Sequence, residues 1–269
     1  MSGSASTIKP PVVLTIAGSD NSCGAGAQAD LKTITALGGY GQTAVTCLVA
    51  EVPGRVEAIQ VARPGLVSQQ VRLSFDAFPV KAVKTGMLFS TAIISAVVDV
   101  LSEIARGVPL VVDPVMVASS GDSLLKPGAI TAYRKRLFPL ATLVTPNLDE
   151  LRILSGMACR DLDGMRKAGT MLVETYGCAF LLKGGHLKSR LATDLLVTQN
   201  GIEDFSAPFC QGIDAHGTGC TYSAAIATEL AKGKGLSEAV GIAKRYITTA
   251  IQGSLRWGST TAMDHRVSL

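Results

Sequence analysis

Short apolar runs alternate with helix-period segments along nearly the whole chain. Val12–Ala17, Thr43–Ala50, Val56–Val61, Val80–Lys84, Pro109–Val112, Thr142–Thr145 and Ala179–Lys183 read as strands. Helical patterns lie between them near Ala25–Leu37, Gly65–Phe75, Thr91–Ala105, Pro127–Leu137 and Leu162–Tyr176. Ser90 is placed to cap the third of these, and Gly38 and Gly39 to end the first. Asp194–Thr198 and Phe205–Ala207 read as a hairpin around Gln199-Asn200-Gly201. Two helices follow, one to about Leu230 and one capped by Ser237 and running to about Gln252. Continuous apolar strands that alternate with helices predict an α/β fold. Its central sheet is mostly parallel and covered by helices on both faces, in three layers.

Composition narrows the function. Apolar residues are 47% of the 269 and charged residues 17%, enough for a large core and too apolar for a disordered chain. The net charge is +4, but no long basic run exists. Arg134-Lys135-Arg136 reads as the solvated end of a helix, and no aromatic stripe accompanies it, so no nucleic-acid partner is expected. The six cysteines form no C-x-x-C pair and only three histidines are present, which argues against structural zinc and for reduced thiols. Residues 1–10 are expected to be a disordered tail before a single domain over 11–269. No signal-peptide pattern and no apolar run of membrane-spanning length appear, because Asp99 and Asp113 interrupt the best candidates. The expected location is the cytoplasm, with no membrane partner.

In open α/β sheets ligands bind beyond the carboxyl ends of the strands. Asp113, Asn147 and Lys183 each follow such an end. The loop Asp214-Ala215-His216-Gly217-Thr218-Gly219-Cys220 then leads into Tyr222–Ala227, a good helix former. Backbone amides at a helix start, approached through glycines, can bind a phosphoryl group. A tight loop before a buried helix is the plainer reading. The loop is not a common P-loop, since no Lys-Ser or Lys-Thr follows the second glycine.

This loop resembles the signature of ribokinase-like kinases, Asp-Thr-x-Gly-Ala-Gly-Asp, whose last residue is the general base. His216-Gly217-Thr218-Gly219-Cys220 resembles the variant found in hydroxymethylpyrimidine/phosphomethylpyrimidine kinases, where Cys replaces that Asp. The resemblance extends over about residues 12–252. It includes the segment from Ala17-Gly18-Ser19-Asp20 to Asp30-Leu31-Lys32, and Lys84-Thr85-Gly86-Met87-Leu88. Asp113-Pro114-Val115-Met116, Ser120-Gly121-Asp122, Leu124-Leu125, Thr145-Pro146-Asn147-Leu148-Asp149-Glu150 and Lys183-Gly184-Gly185-His186 complete it.

The resemblance implies a ribokinase-like fold and a kinase of thiamine biosynthesis. Such a kinase uses ATP and Mg²⁺ to phosphorylate 4-amino-5-hydroxymethyl-2-methylpyrimidine and then its monophosphate. Cys220 is the implied base, with Gly217, Thr218 and Gly219 holding the transferring phosphoryl group. A helix start, and Lys183 if it is near, would lower the thiol pKa. Asp113 and Glu150 are implied on the Mg²⁺ side, acting through water. Asn147 and Lys183 are implied at the ATP phosphates, and Gly18, Ala25, Met87 and Val115 around the pyrimidine. Plainer roles exist for each. Cys220 can be a small buried thiol and Met87 a core residue. Asn147 can be a helix cap, Glu150 a first-turn carboxylate, Asp113 the start of a turn and Lys183 a solvated strand end. Asp20 can contact substrate or hold its loop, with loop support ranked first. A homodimer is implied by the same resemblance.

The chain departs from that pattern in three places. Glu51 stands where the family has a Gln that bonds the pyrimidine edge; a carboxylate there can pair with a protonated ring nitrogen or mark another substrate. Glu51→Gln is expected to retain binding. Cys23 stands where the family has Gly, so a Gly-only backbone conformation is not expected there. Ala215 replaces a Thr, which bears on any K⁺ dependence. The nearest alternative is a pyridoxal/pyridoxine kinase. From another class, a binding protein that has lost catalysis is disfavoured by the intact site residues, and a dinucleotide-binding oxidoreductase by the absence of Gly-x-Gly-x-x-Gly. Val117–Ser123, small and Gly-containing, is the candidate lid.

Overall fold

The computed structural model describes residues 9–116, 128–185, 187, 190–210 and 216–267. The first eight residues of the expected tail, the candidate lid, Ser120-Gly121-Asp122, Leu124-Leu125, His186, Asp214 and Ala215 lie outside the described residues.

The strands are β1 (Val12–Asp20), β2 (Tyr40–Val52), β3 (Arg55–Val61), β4 (Val80–Thr85), β5 (Leu110–Val112), β6 (Leu143–Val144), β7 (Ala179–Leu182), β8 (Leu191–Thr198) and β9 (Gly201–Pro208). They form one nine-stranded sheet of order β3-β2-β1-β4-β5-β6-β7-β8-β9 among the described residues. The stretch from β2 to β7 is parallel, and β3 and the β8–β9 hairpin add antiparallel margins. The mostly parallel sheet expected from the apolar runs is therefore present.

Side chains of a strand alternate between faces, and here both faces are dry. Val13, Ala82, Val111, Leu143, Leu181 and Leu196 pack under α1 (Gly26–Ala36), α7 (Thr218–Ala231) and α8 (Leu236–Gln252). Their neighbours Leu14, Val83, Val112, Val144, Leu182 and Val197 face the other way. That face is covered by α2 (Pro64–Ala77), α3 (Thr91–Ile104), α4 (Ala129–Ala132), α5 (Leu148–Ser155) and α6 (Leu162–Tyr176). No helix among the described residues is long and apolar enough to cross a membrane.

Several local expectations change. The pattern over Pro127–Leu137 is not one helix: within the described part α4 passes into a π-turn over Tyr133–Leu137 and a 3₁₀ turn over Phe138–Leu140. Its basic run is solvated as expected, Lys135 and Arg136 being exposed, and two of its members also have partners. Arg136 meets Asp99 at 2.6 Å, and Arg134 donates to the carbonyls of Ile153 and Leu154. Gly235, not Ser237, is the N-cap of α8; the Ser237 hydroxyl, already inside the first turn, donates to Glu203 across to β9. Ser90 caps α3 as expected, accepting from the Ile93 amide. A short hairpin, β10 (Leu255–Trp257) with β11 (Thr260–Ala262), follows α8 and is too brief to show in the sequence.

Candidate active site

The carboxyl ends of the parallel strands open onto a cavity of about 630 Å³, within the size range of small-molecule sites. Its walls run from β2 and β3 at one margin to β9 and α8 at the other. All the residues proposed from the sequence line it: Gly18, Ala25, Glu51, Met87, Val115, Asp113, Asn147, Glu150, Lys183, Gly217, Thr218, Gly219 and Cys220.

The centre is built from strand ends. After β7, Lys183 bridges to Asn147, which follows β6, and the Lys183 ammonium lies 3.1 Å from Asp113 Oδ1, which follows β5. Asn147 caps α5: its side chain accepts from the Asp149 and Glu150 amides. Glu150 completes a capping box by accepting from the Asn147 amide, and its other oxygen accepts from the Met116 amide. The helix-cap and first-turn readings of these residues are thus correct. Cap geometry and a place in the cavity are compatible, since each carboxylate oxygen keeps a further lone pair. Burial raises the Glu150 pKa, Lys183 opposes that and Asp113 adds to it.

The glycine loop lies directly on this cluster. A Cβ on Gly219 would stand 3.0 Å from the Lys183 nitrogen and 3.4 Å from Asp113 Oδ2. Gly217 has φ +78, and a Cβ there would meet the Gly24 carbonyl at 1.8 Å. Glycine is therefore required at 217, both for the left-handed turn and for the approach of the 24–26 loop. Gly217 is the N-cap of α7, so Cys220 falls in its first turn. The start of α1 faces it, with the Gly26 amide directed at the Cys220 sulfur. Two helix amino ends thus converge at one point, a favourable place for negative charge.

The expected lowering of the Cys220 thiol is not found. Burial pushes it up to about 11, with Asp30 and Asp113 adding to the rise and Lys84 opposing it, although the residue keeps partial exposure to the cavity.

The apolar end is a small cluster of Cys47, Val49 and Met87, joined by Val56, Ile59, Phe89 and Val115. Cys23 (φ 58), Phe89 (φ 64) and Val115 (φ 41) are the non-glycine residues with left-handed backbone among those described. Cys23 thus keeps a glycine-like conformation, contrary to expectation. Its turn is held by Asp20, whose carboxylate accepts from the Ser22, Gly24 and Ala25 amides. Left-handed backbone at a β-branched residue such as Val115 is costly, and such strain collects at functional sites.

Asp20 supports its loop, as ranked. The His216 ring nitrogen lies 3.1 Å from the same carboxylate, so Asp20 ties the first strand to the glycine loop. Burial would raise the Asp20 pKa, but the bonds from His216, Ser22 and Ala25 outweigh it and hold it at about 2. Glu51 sits at a β-bulge after Ala50, its amide donating to Asn21.

Sequence reasoning missed two ion pairs. Lys84 meets Asp30 at 2.8 Å with neither side chain exposed, beneath Gly86. A charge inside the apolar run Val80–Lys84 was the signal for it. Lys244 of α8 meets Asp194 of β8 at 2.6 Å in the cavity wall. No sequence pattern marks that pair. Among the described residues no group of three or more His, Cys, Asp or Glu is placed to hold a metal directly.

A parallel sheet with helices on both faces, and a glycine-loop helix start set against a lysine and two carboxylates at its strand ends, define a ribokinase-like small-molecule kinase. The family model for phosphomethylpyrimidine kinase matches residues 20–264. The chain belongs to the phosphomethylpyrimidine kinase family. It is 44% identical to hydroxymethylpyrimidine/phosphomethylpyrimidine kinase of Rhizobium meliloti, over 91% of this chain and 92% of that one. It is 46% identical to a bifunctional thiamine biosynthesis protein of Geobacter sulfurreducens over 89% of this chain, and spans 49% of that longer protein. The ADP complex of Bacillus subtilis pyridoxal kinase superposes with a TM-score of 0.88 at 35% identity, covering 96% of this chain and 98% of that one.

Proposed function

We propose that the chain phosphorylates 4-amino-5-hydroxymethyl-2-methylpyrimidine with ATP, and then its monophosphate, as a step of thiamine biosynthesis. The observation that carries this reading is the Gly217–Cys220 turn, set against Lys183 so closely that a Cβ on Gly219 would stand 3.0 Å from its nitrogen, at a point where two helix starts meet. The greater identity to pyrimidine kinases than to the pyridoxal kinase favours the pyrimidine.

The apolar cluster around Met87 receives the ring, beside Gly18, Ala25 and Val115. Gly18 leaves room there, since a Cβ would press on the Cys47 sulfur at 2.9 Å. Cys220 takes the proton of the hydroxymethyl group as its oxygen attacks. The first-turn amides of α7 hold the phosphoryl oxygens as charge builds on them. Asn147 and Lys183 hold the ATP phosphates, and the margin formed by β8, β9 and α8 receives the nucleoside.

Asp113 and Glu150, which both line the cavity, hold Mg²⁺ through water in this reading, since Mg²⁺ keeps much of its hydration. When bound, Mg²⁺ neutralises charge on the phosphates. A homodimer and a cytoplasmic location remain part of this reading; K⁺ dependence is left to the assay, run with and without the ion, because Ala215 removes a hydroxyl that could hold it.

A turnover assay with ATP and Mg²⁺ tests it, offering the pyrimidine alcohol, its monophosphate and pyridoxine in turn. Conversion of both pyrimidines is expected. Turnover of pyridoxine alone would transfer the chain to the pyridoxal kinases, and ATP hydrolysis with no acceptor used would refute both.

A further inference from the structure

Glu51 projects a carboxylate into the cavity wall beside the ring-binding cluster, and no hydrogen bond or ion pair holds that carboxylate among the described residues. Its backbone is nonetheless fixed: the Glu51 amide donates to Asn21 Oδ1 at 2.7 Å and the β2–β3 register shifts at this point. A partly exposed carboxylate with no protein partner, on a fixed backbone in the cavity wall, is available to a ligand.

The charged and titratable groups near it come from each neighbouring element. Asp20 ends β1, His216 precedes α7, Cys47 lies on the same strand, and Arg55 and Glu57 of β3 line the adjoining outer wall. Arg55 is turned to Glu57 at 3.1 Å. His216 is engaged with Asp20. Asp20 stays ionised through its bonds and repels a second negative charge at Glu51. Burial first, and then Asp20, raise the Glu51 pKa, while His216 opposes them.

An aminopyrimidine presents an amine donor beside a ring-nitrogen acceptor. A carboxylate offers two acceptors, so one contact would be favourable and the other would set two lone pairs against each other. One added proton resolves this, whether it rides on the acid or on the ring nitrogen. Both microstates give the same pair of parallel hydrogen bonds, one of them charge-assisted when the ring carries the proton.

Resting on the pyrimidine-kinase reading above, we propose that Glu51 and the incoming aminopyrimidine share one proton, so that substrate binding takes up a proton from solvent. Glu51 is then the specificity-determining residue for an amine-plus-ring-nitrogen edge. One solvent proton enters on binding, no bond to carbon changes, and the proton returns to solvent when the aminopyrimidine dissociates from Glu51.

Calorimetry of 4-amino-5-hydroxymethyl-2-methylpyrimidine binding at pH 8, in buffers of different ionisation enthalpy, reads the proton directly. Uptake approaching one proton per site is expected for the wild type, with affinity falling about ten-fold per pH unit above the free pKa values of both groups. Glu51→Gln supplies its own N–H donor, so it should bind with no such uptake and with affinity flat in pH. Binding by the wild type with no proton uptake overturns the inference and leaves the kinase reading intact. If neither protein binds the aminopyrimidine, the substrate assignment falls and the inference falls with it. Uptake that persists unchanged in Glu51→Gln would place the proton on a group other than Glu51 and also overturn it.

Discussion

The ammonium of Lys84 and the carboxylate of Asp30 meet at 2.8 Å with both side chains wholly buried, and the Thr15 hydroxyl donates to the same carboxylate. Lys84 reaches the pair from β4, and Asp30 from the face of α1 that lies on the sheet. The pair therefore joins the helix whose start faces Cys220 to the strand that ends at Thr85, two residues before Met87. Burying two charges costs several kcal/mol in desolvation, offset only while both are present.

Lys84→Met should destabilise the fold by about 3–5 kcal/mol, since Asp30 is left as an uncompensated buried charge. The double change Lys84→Met with Asp30→Leu should recover most of that loss. Urea unfolding of the two variants checks this, and equal losses in both would show that the pair's packing matters more than its charge.

Cys220→Ala should lower kcat by about 10²–10⁴-fold, the usual loss on removing a positioned acid or base. Partial burial in the cavity wall pushes the Cys220 thiol up to about 11. The thiolate fraction, and with it kcat/KM, should therefore climb nearly ten-fold per pH unit between about pH 7 and 9. The alanine variant should lack that slope. A flat wild-type profile would remove Cys220 from the proton transfer.

Gly217→Ala should reduce kcat/KM by about 100-fold or more, because the added carbon must push the Gly24 loop away and shift the phosphoryl-binding turn. Gly233→Ala is the control. It has a similar left-handed backbone, φ +84, but nothing lies within 4 Å of its would-be Cβ. It should cost only about 1–2 kcal/mol of stability and leave activity in place.

His265 is buried against the start of α7, its ring 3.0 Å from the Thr221 hydroxyl. Burial first, and then Lys32, push its pKa down from 6.5 to about 4, against a small opposing pull from Asp264. A depressed pKa means that the folded state binds fewer protons than the unfolded one. The stabilisation is then complete above about pH 6.5 and is lost as pH falls towards 4, by roughly 3 kcal/mol in all. Thermal melts of the wild type and His265→Gln at pH 7 and pH 4.5 should converge at the lower pH. Parallel loss in both would place the acid sensitivity elsewhere.

Much of the fold could be read from the alternation of apolar runs and helical periods. The parallel strands were found close to their true bounds, and α6 at Leu162–Tyr176 matched. Failures came where the local signal was weak or divided. The π-turn at Tyr133–Leu137 has the periodicity of a helix, and Ser237 is a good cap placed two residues too late. In the site, Asp113, Asn147 and Lys183 were legible because polar residues at the ends of apolar strands stand out. Lys244 and Asp194 were not, because neither differs from an ordinary surface charge until α8 packs across β8.

The order of residues alone determined the layered architecture, since a run apolar on both sides must be covered on both sides. It also marked the loop proposed here to face a phosphoryl group, because a helix start with glycines before it presents its amides wherever it lies. Only the tertiary structure decided the electrostatics. Whether Cys220 holds its proton, whether Asp20 keeps its charge and whether Glu51 stands unpaired depend on what the rest of the chain brings alongside and on how much water it excludes. Those are sums over neighbours distant in sequence, and a pattern of residue types carries no record of them.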